Sequence, residues 1–365
     1  MLDSFEVMTS EGSYPVVIGN GIIRQIACKH PDAIYLVDRN LLKHIVLPRG
    51  HCIEVDATEE NKSLERMTDV VIQLRKLGAN RDSHVVAVGG GITQDIATFC
   101  ASIFMRGVAW TYVPSTVLSM ADSCVGGKSS INVASYKNLV GNIYPPSAVY
   151  VDVALIATLP TDHVIGGLFE AVKICYAHSI SAMQEFSKYD ASPWLDSTGF
   201  QKVIYHALIC KKWFIEIDEF DQKERLLLNF GHTFGHALEA GTNYKIPHGV
   251  AIGIGMLVAV CFSRQRKEFT DLGVARVNDL SGYLKLTIQN SRQHIPCLSD
   301  SVDLLLVMEK FENDKKHSSS HYRMVVPNIE GNIELVSFDK NEENRIAILG
   351  AFRAALIDLS CFSLN

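Results

Sequence analysis

The sequence predicts an α/β domain built on a parallel sheet, followed by a mostly α-helical domain. Up to about residue 160, short apolar runs rich in β-branched residues alternate with longer helix-period segments, which is typical of βαβ units. Beyond residue 160, apolar residues recur with helical periodicity over long stretches. A chain of 365 residues, 47% of them hydrophobic, also favours two domains over one. We therefore expect domains at 1–160 and 161–365.

The elements of the first domain follow in order along the chain. Strands are predicted for YPVVIG, AIYLVD, HVVAVGGG and TYVPS. Helices are predicted for SLERMTDVVIQLRKLG and for the segment from the glycines through Phe104. In the second domain, helices are predicted for HVIGGLFEAVKICYAHSI, FQKVIYHALICKKWFIEI and GVAIGIGMLVAVCFSRQRK. Because no flexible linker separates the two parts, the join at 158–160 is expected to be rigid.

Composition and charge exclude several classes of partner. The net charge is −6 and no block of lysine and arginine is present, which argues against a nucleic acid or an anionic membrane and favours a small-molecule ligand. The nine cysteines are scattered singly and are expected to be reduced thiols of a cytoplasmic protein. The N-terminus lacks the apolar core of a signal peptide, and no apolar run reaches membrane-spanning length.

A glycine turn is the first candidate binding feature. The predicted strand HVVAV runs directly into Gly89, Gly90 and Gly91, and a predicted helix follows. Such a turn lets the backbone approach a pyrophosphate, whose charge the helix N-terminus stabilises. Asp38, at the end of AIYLVD, lies where a carboxylate would accept hydrogen bonds from a ribose. The spacing also fits a tight turn without a ligand, and Asp38 also fits a helix cap.

A candidate metal site comes from histidines and one carboxylate. His232 and His236 are four residues apart in NFGHTFGH, on one helical face, and His248 follows in IPHG. Upstream, Glu170 and Lys173 in FEAVK share one helical face. Three nitrogen or oxygen ligands with an open position suit a catalytic Zn²⁺. The alternatives are an ordinary packed helix for the histidines and a plain helical ion pair for Glu170 and Lys173.

Cations and amides within apolar, glycine-rich text suggest an anionic substrate. A buried cation needs a partner or a ligand, because an unpaired buried charge is costly. For any single lysine, a solvated surface position is the alternative. The residues concerned are Arg106, Lys128, Lys137, Asn138, Lys211, Arg225, Asn229, Lys315 and Lys316.

These motifs together resemble the 3-dehydroquinate synthases and related sugar-phosphate cyclases. The resemblance runs over nearly the whole chain, through VVIGNGI, E-x-x-K at Glu59 and Lys62, GGGITQD, DSCVGGKSSIN, KNLVG, FEAVK, RLLLNFGHTFGHALEAG, PHG and DKK. It implies a Rossmann-like NAD-binding domain, a helical metal-binding domain and a homodimer.

The resemblance also implies roles for individual residues. Zinc, or cobalt in its place, would be bound by Glu170, His232 and His248, which leaves His236 as a phosphate contact or proton carrier. The NAD site would be lined by Asp38, Glu59, Lys62, Gly89, Gly90, Gly91, Asp95, Ser115, Thr116, Leu118, Asp122, Lys137, Thr158 and Leu159.

The substrate contacts implied by the resemblance form three groups. Asp122 and Lys173 would hold the reacting hydroxyls, and Lys211 with Arg225 would hold a substrate carboxylate. Arg106 would reach across the dimer interface. Phosphate would be held by Lys128, Asn138, Asn229, His236 and one of the pair Lys315 and Lys316.

The implied reaction is the conversion of 3-deoxy-arabino-heptulosonate 7-phosphate to 3-dehydroquinate and phosphate, a step of the shikimate pathway to aromatic amino acids, with NAD oxidised and regenerated in each turnover. Three positions depart from the family pattern: Gln94 replaces a glycine, Ser115 a threonine, and Val250 a glutamate. The first and the last of these favour the alternative of a paralogous cyclase for sedoheptulose 7-phosphate or glucose 6-phosphate. A metal-dependent polyol dehydrogenase is a further alternative.

Overall fold

The computed structural model describes residues 2–47, 51–134, 136–189, 195–295, 301–359 and 363–364. Within these ranges seven cysteines are free thiols, whereas Cys297 and Cys361 lie outside the described residues. The strands are β1 (Asp3–Thr9), β2 (Gly12–Gly19), β3 (Ile34–Asp38), β4 (Cys52–Val55), β5 (His84–Gly89), β6 (Ala109–Pro114), β7 (Ile131–Val133), β8 (Tyr136–Val140), β9 (Ala148–Asp152), β10 (Ser301–Val302), β11 (His321–Pro327), β12 (Ile333–Asp339) and β13 (Ser363–Leu364).

The helices account for most of the second half of the chain. Short 3₁₀ turns lie between them, and a π-helical turn spans Ser119–Ser123. The α-helices are α1 (Ile23–Lys29), α2 (Leu64–Lys76), α3 (Gly91–Ile103), α4 (Thr161–His178), α5 (Ile180–Lys188), α6 (Ser197–Ile217), α7 (His232–Gly241), α8 (His248–Arg266), α9 (Asp271–Asn290), α10 (Leu304–Glu312) and α11 (Glu342–Asp358).

The chain divides into two compact units. The first comprises Met1–Leu159 and Leu195–Phe220, and the second comprises Pro160–Trp194 and Asp221–Asn365. These units differ from the expected domains 1–160 and 161–365 chiefly in that the segment Leu195–Phe220, which contains α6, belongs to the first unit. The predicted α/β and mostly helical fold classes are confirmed.

The first unit is organised around a seven-stranded sheet of order β1-β2-β9-β6-β5-β3-β4. Every neighbouring pair is parallel except β1 and β2, which form an antiparallel hairpin at one edge. The interior strand β5 is buried from Val85 to Gly89, as expected of a strand covered on both faces. Since β3, β5 and β6 are parallel, their carboxyl ends lie at one edge, where ligands bind in open α/β sheets.

A buried carboxylate secures the start of the first unit. Asp152, at the end of β9, is fully buried. Its Oδ1 accepts hydrogen bonds from the backbone N–H groups of Gly21 at 2.8 Å and Ala154 at 3.0 Å, and its Oδ2 accepts one from Ile23 at 2.9 Å. These bonds satisfy donors at the start of α1 and of the turn after β9, which offsets the cost of burying the charge.

The second unit is built around α8, against which α4, α7 and α11 pack. By length and composition α8 is the one helix among the described residues that passes as a membrane-span candidate, but 78% of its apolar window is buried inside the unit. A helix that is apolar on all sides and enclosed by other helices is a core helix. The antiparallel hairpin of β11 and β12 lies beside this core, and neither it nor α9–α11 was among the elements predicted from sequence.

Glycines allow two of these helices to approach α8 closely. A Cβ atom on Gly249 would overlap the backbone of Gly166 in α4, and one on Gly255 would overlap the backbone of Gly231 and Gly235, at and just before the start of α7. Backbones in such contact leave no room for a side chain. Because Gly249 follows His248 and Gly166 lies one turn before Glu170, the first contact brings the ends of these two functional side chains together.

Candidate active site

The glycine turn of the first unit joins β5 to α3. A Cβ on Gly89 would overlap the side chain of Thr93, and one on Gly90 would come within 3.0 Å of Thr116 Cγ2, whereas one on Gly91 would meet no heavy atom within 4 Å. No side chain among the described residues caps the N-terminus of α3. Open backbone N–H groups at the start of a helix, with free space above them, can bind the phosphates of a nucleotide.

A polar network lies beside this turn. The Nζ atom of Lys62 donates to Asn138 Oδ1 at 2.9 Å and to Asp95 Oδ2 at 3.1 Å, and lies 3.5 Å from Glu59 Oε1. Asn132 donates from Nδ2 to the carbonyl and the carboxylate of Glu59, at 3.1 and 2.9 Å, and its Oδ1 accepts from the backbone N–H of Asn138 at 2.8 Å. The network thus joins three expected nucleotide contacts to Asn138, an expected phosphate contact.

Asp95 carries the most perturbed carboxylate of this network. Burial raises the pKa of Asp95 to about 6, although the charge and hydrogen bond of Lys62 and the backbone N–H of Ser130 oppose the change. A carboxyl group with such a pKa exchanges its proton near neutrality, which is typical of functional sites.

The remaining expected nucleotide contacts lie mostly at the carboxyl edge of the sheet. Asp38 accepts from Asn40 N at 2.9 Å and therefore acts as a helix cap, one of the two interpretations open at the sequence level. Ser115 N donates to the Gly89 carbonyl at 2.9 Å. The others are Thr116 and Leu118, before the π-helical turn, Thr158 and Leu159, at the end of the first of the unit's two segments, and Lys137, which is exposed on β8.

Gln94, a departure from the family pattern, is fully used within the fold. Its side chain is buried, and its Nε2 donates to the carbonyl of Ser123 at 2.7 Å while its Oε1 accepts from Ser123 Oγ at 2.6 Å. Gln94 therefore ties the first turn of α3 to the π-helical turn that contains Asp122. A larger residue than glycine is accommodated here without a lost hydrogen bond.

The cations expected to bind substrate differ in their burial and in their partners. Lys211, on α6, forms an ion pair with Asp122, and both side chains are largely buried. Lys128 is half-buried in the loop before β7. Arg106 is exposed and has a positive φ of 69°. Lys211 and Arg225, expected to share a carboxylate, belong to different units, and Arg225 is buried in the second.

The second unit contains a buried carboxylate with one unused oxygen. Glu170 and Lys173 of α4 are each 2% exposed and form an ion pair through Glu170 Oε2. The other oxygen, Oε1, is buried and has no hydrogen-bond partner among the described residues. Burying a carboxylate oxygen without a partner costs free energy, so the position of Glu170 Oε1 indicates that it binds a cation.

Two histidines present nitrogen atoms to that oxygen. Nε2 of His232 lies 3.7 Å and Nε2 of His248 lies 3.8 Å from Glu170 Oε1. Ligand atoms of a tetrahedral zinc ion with bonds of ~2.0–2.1 Å are about 3.4 Å apart, so small shifts would complete a site. The other nitrogens are engaged, since His248 Nδ1 lies 3.0 Å from Glu239 Oε2 and His232 Nδ1 lies 3.3 Å from the Phe230 carbonyl. The residues therefore fit a divalent ion.

Electrostatics distinguish the two imidazoles. Burial and the nearby charge of Lys173 hold the pKa of His232 well below its usual range, so this ring is neutral, as a metal ligand must be. Burial lowers the pKa of His248 as well, but the hydrogen bond that its Nδ1 donates to Glu239 and the charges of Glu170 and Glu239 outweigh burial, so the pKa is raised.

His236 belongs to the same cluster but faces another partner. One nitrogen from each of His232, His236 and His248 lies within 4.8 Å of the others. His236 Nδ1, however, lies 3.9 Å from Asp314 Oδ2, and this contact helps to hold the pKa of Asp314 below its usual value although burial raises it. This geometry supports a ligand set of Glu170, His232 and His248.

A buried cation completes the site. Lys316 Nζ is buried without a hydrogen-bond partner among the described residues, and burial lowers its pKa. Its charge also lowers the pKa of His232, so the two groups lie close together. Lys315, in contrast, is exposed, and Asn229 is half-buried and donates to the Leu226 carbonyl at 3.0 Å. Of the two lysines left open by the sequence, Lys316 has the environment of an anion contact.

Sequence reasoning missed three residues of these clusters. Glu239 lies seven residues, or two helical turns, after His232 and so on the same face, a spacing that was available as a signal. Asn132 is the last residue of DSCVGGKSSIN and was not singled out. For Ser123 the sequence holds no signal, because its bond to Gln94 joins residues 29 positions apart.

Comparisons with known proteins show the family to which the chain belongs. Residues 52–166 match the family model described as 3-dehydroquinate synthase N-terminal, and residues 167–317 match the one described as 3-dehydroquinate synthase C-terminal. A relative named 3-dehydroquinate synthase, from Dictyoglomus turgidum, is 31% identical over 362 residues, which cover 95% of this chain and 98% of the relative.

Solved structures with the same fold include two cyclases. A 2-deoxy-scyllo-inosose synthase in complex with carbaglucose-6-phosphate, NAD⁺ and Co²⁺ has a TM-score of 0.83 at 24% identity, covering 96% of this chain and 99% of that one. A 2-epi-5-epi-valiolone synthase from Streptomyces hygroscopicus with NAD⁺ and Zn²⁺ bound has a TM-score of 0.75 at 23% identity, covering 96% and 98%. These likenesses show the fold, and the family models and the relative together show that this chain is an enzyme of the 3-dehydroquinate synthase family.

Proposed function

We propose that this enzyme converts 3-deoxy-arabino-heptulosonate 7-phosphate to 3-dehydroquinate and phosphate, as a phosphate-eliminating carbon–oxygen lyase that uses NAD and a divalent ion. The observation that carries the proposal is that one unit contains both a cluster of metal-ligand type and a buried lysine Nζ that has no hydrogen-bond partner among the described residues. Glu170 Oε1 is faced by His232 and His248, and Lys316 Nζ lies near them. A metal that polarises an alcohol, beside a cation that accepts a phosphate, is what this reaction needs.

The two bound groups would divide the chemistry. When bound, the nicotinamide would accept a hydride from the substrate alcohol and return it after phosphate has left, and the divalent ion, zinc or cobalt, would polarise the oxygen of that alcohol. Carbaglucose-6-phosphate, NAD⁺ and Co²⁺ in the similar solved structure support both groups.

The residues of the first unit would bind NAD. The free N-terminus of α3 would receive the pyrophosphate, and the network around Lys62 and Asp95 would hold the neighbouring loops. Lys128 and Asn138 would contact anionic oxygens. Asp122 would accept from a substrate hydroxyl, and Lys211, which is paired with Asp122 in the structure, would bind the substrate carboxylate.

The residues of the second unit would bind the metal and phosphate. Glu170, His232 and His248 would be the ligands, and Lys173 would hold a hydroxyl while neutralising Glu170. His236, Asn229 and Lys316 would contact phosphate, with Lys316 supplying the charge that stabilises the departing group. Arg225 would bind the carboxylate through its two-pronged guanidinium.

The alternative is a paralogous cyclase that takes sedoheptulose 7-phosphate or glucose 6-phosphate. Two observations favour it: Gln94 fills a position where the family has glycine, and Val250, where the family has glutamate, is fully buried on α8. The named relatives, 31% identical over most of the chain, favour the heptulosonate. We further propose a homodimer, with the exposed Arg106 at its interface, and a cytoplasmic location, which the free cysteines support.

One experiment separates these functions. Purified enzyme loaded with NAD and Zn²⁺ is offered each of the three sugar phosphates, while phosphate release and the absorbance of NADH are followed together. Release from the heptulosonate alone without accumulating NADH is expected. Release only from a sugar without a carboxylate would assign the alternative, and NADH without phosphate would indicate a polyol dehydrogenase.

A further inference from the structure

His248 is contacted at its two ring nitrogens by two different carboxylates. Its Nδ1 lies 3.0 Å from Glu239 Oε2, and its Nε2 lies 3.8 Å from Glu170 Oε1. Glu239 is on the last turn of α7 and its side chain is 18% exposed, so solvent screens the contact only in part. The imidazole is therefore held from the side opposite to the proposed ion.

This arrangement decides which nitrogen is free to bind a metal. A neutral imidazole that donates from Nδ1 to a carboxylate carries its lone pair on Nε2, with the ring orientation fixed. His232 shows the same arrangement, but with the weaker carbonyl acceptor of Phe230 at 3.3 Å. A carboxylate acceptor also makes the imidazole more basic and so a better ligand.

We propose that Glu239 is a positioning residue that orients His248 Nε2 toward the divalent ion and strengthens the binding of that ion. The inference rests on the metal site of the proposed function and deepens it. Val250, where the family pattern has glutamate, is buried and apolar in this chain, whereas Glu239 brings a carboxylate to His248 from another helix.

Metal binding by the apoprotein tests the inference without any measurement of turnover. Chelator-treated enzyme is titrated with Co²⁺, and the dissociation constant is obtained by calorimetry and from the visible absorption of the bound ion. Glu239→Gln, which keeps the shape and a neutral acceptor, is expected to weaken Co²⁺ binding about 10-fold, and Glu239→Leu about 100-fold. The matched control is Glu185→Gln, which removes an exposed carboxylate paired with Lys188 on α5 and should bind as the parent does.

The outcomes separate the inference from the proposed function. The graded loss from glutamine to leucine supports the inference, because a purely structural role would not follow the acceptor strength of the side chain. If both folded variants bind Co²⁺ within twofold of the parent, the inference is overturned and the metal site stands. If the parent itself binds no Co²⁺, the inference about Glu239 and the proposed metal site are both refuted. Should Glu239→Leu fail to fold, Glu239→Gln alone decides between the first two outcomes.

Discussion

The Nζ atom of Lys62 lies 2.9 Å from Oδ1 of Asn138, so a cation from the segment before α2 holds the amide of the β7–β8 hairpin. An amide whose oxygen is held by a cation directs its NH₂ group, a donor, elsewhere. Asn138 has a positive φ of 55°, which is uncommon for a residue other than glycine. The network that stabilises this conformation therefore also fixes the direction in which the amide NH₂ group points.

Asn132→Ala tests how far that network depends on one side chain. The change removes three hydrogen bonds, two to Glu59 and one from Asn138 N, each worth about 1 kcal/mol. We expect the free energy of unfolding in urea to fall by about 3 kcal/mol and NAD affinity to fall with it. Asn313→Ala, which removes one exposed amide bond, is the control and should cost less than about 1 kcal/mol. Equal losses in the two variants would contradict the network.

Gly249→Ala tests the close contact of α4 and α8. The new methyl group would overlap the backbone of Gly166 and separate Glu170 from His248. We expect a loss of about 1–3 kcal/mol in stability and weaker Co²⁺ binding by the apoprotein. The control, Gly282→Ala, lies on the exposed face of α9, where an added Cβ meets no heavy atom within 4 Å, and should stabilise by up to about 1 kcal/mol. Undiminished Co²⁺ binding by Gly249→Ala would count against the role of this contact.

Lys316→Met tests the buried cation. Lys316 Nζ is buried without a hydrogen-bond partner among the described residues, although the charge of Asp314 attracts it. Its removal should change stability little, because the lost attraction to Asp314 is offset by the relieved cost of burying the ammonium. Binding of inorganic phosphate, measured by calorimetry, should weaken at least 10-fold. Lys315→Met removes the exposed neighbour and should weaken phosphate binding less than threefold. The opposite order of effects would assign the anion contact to Lys315.

His84 predicts a pH dependence of stability. The Nε2 atom of His84 lies 2.8 Å from Thr111 Oγ1, and the ring stacks on that of His30 with 4.6 Å between the ring centroids. Burial, together with a smaller electrostatic effect of His30, lowers the pKa of His84 to about 4. The unfolded chain, with a histidine pKa near 6.5, therefore binds the proton more readily, so this contribution is complete above pH 6.5 and is lost as the pH falls toward 4. Urea unfolding at pH 7, 5.5 and 4.5 should show a shallower decline for His84→Gln than for the parent. The exposed His44→Gln is the control, and parallel declines in all three proteins would refute the assignment.

The sequence alone determined the classes of both units and many of the elements. Alternating apolar runs predicted β2, β3, β5 and β6, and helical periodicity predicted α4, α6 and α8. These predictions are confirmed because the spacing of apolar residues reflects which positions of a strand or helix are buried. The edge strand β1 was not predicted, because only Val7 of its seven residues is buried and the strand therefore has almost no apolar pattern.

The tertiary structure decided which side chains meet. His232 and His236 share a helical face, so spacing alone treats them equally, yet His232 points Nε2 at Glu170 and His236 faces Asp314. Spacing also treats Lys315 and Lys316 equally, whereas the fold buries the Nζ atom of Lys316 and leaves Lys315 exposed. Sequence periodicity specifies a face within one helix, but the contact between Gly166 and Gly249 specifies which faces of two helices come together. That contact joins residues 83 positions apart, and only the folded chain brings them within reach.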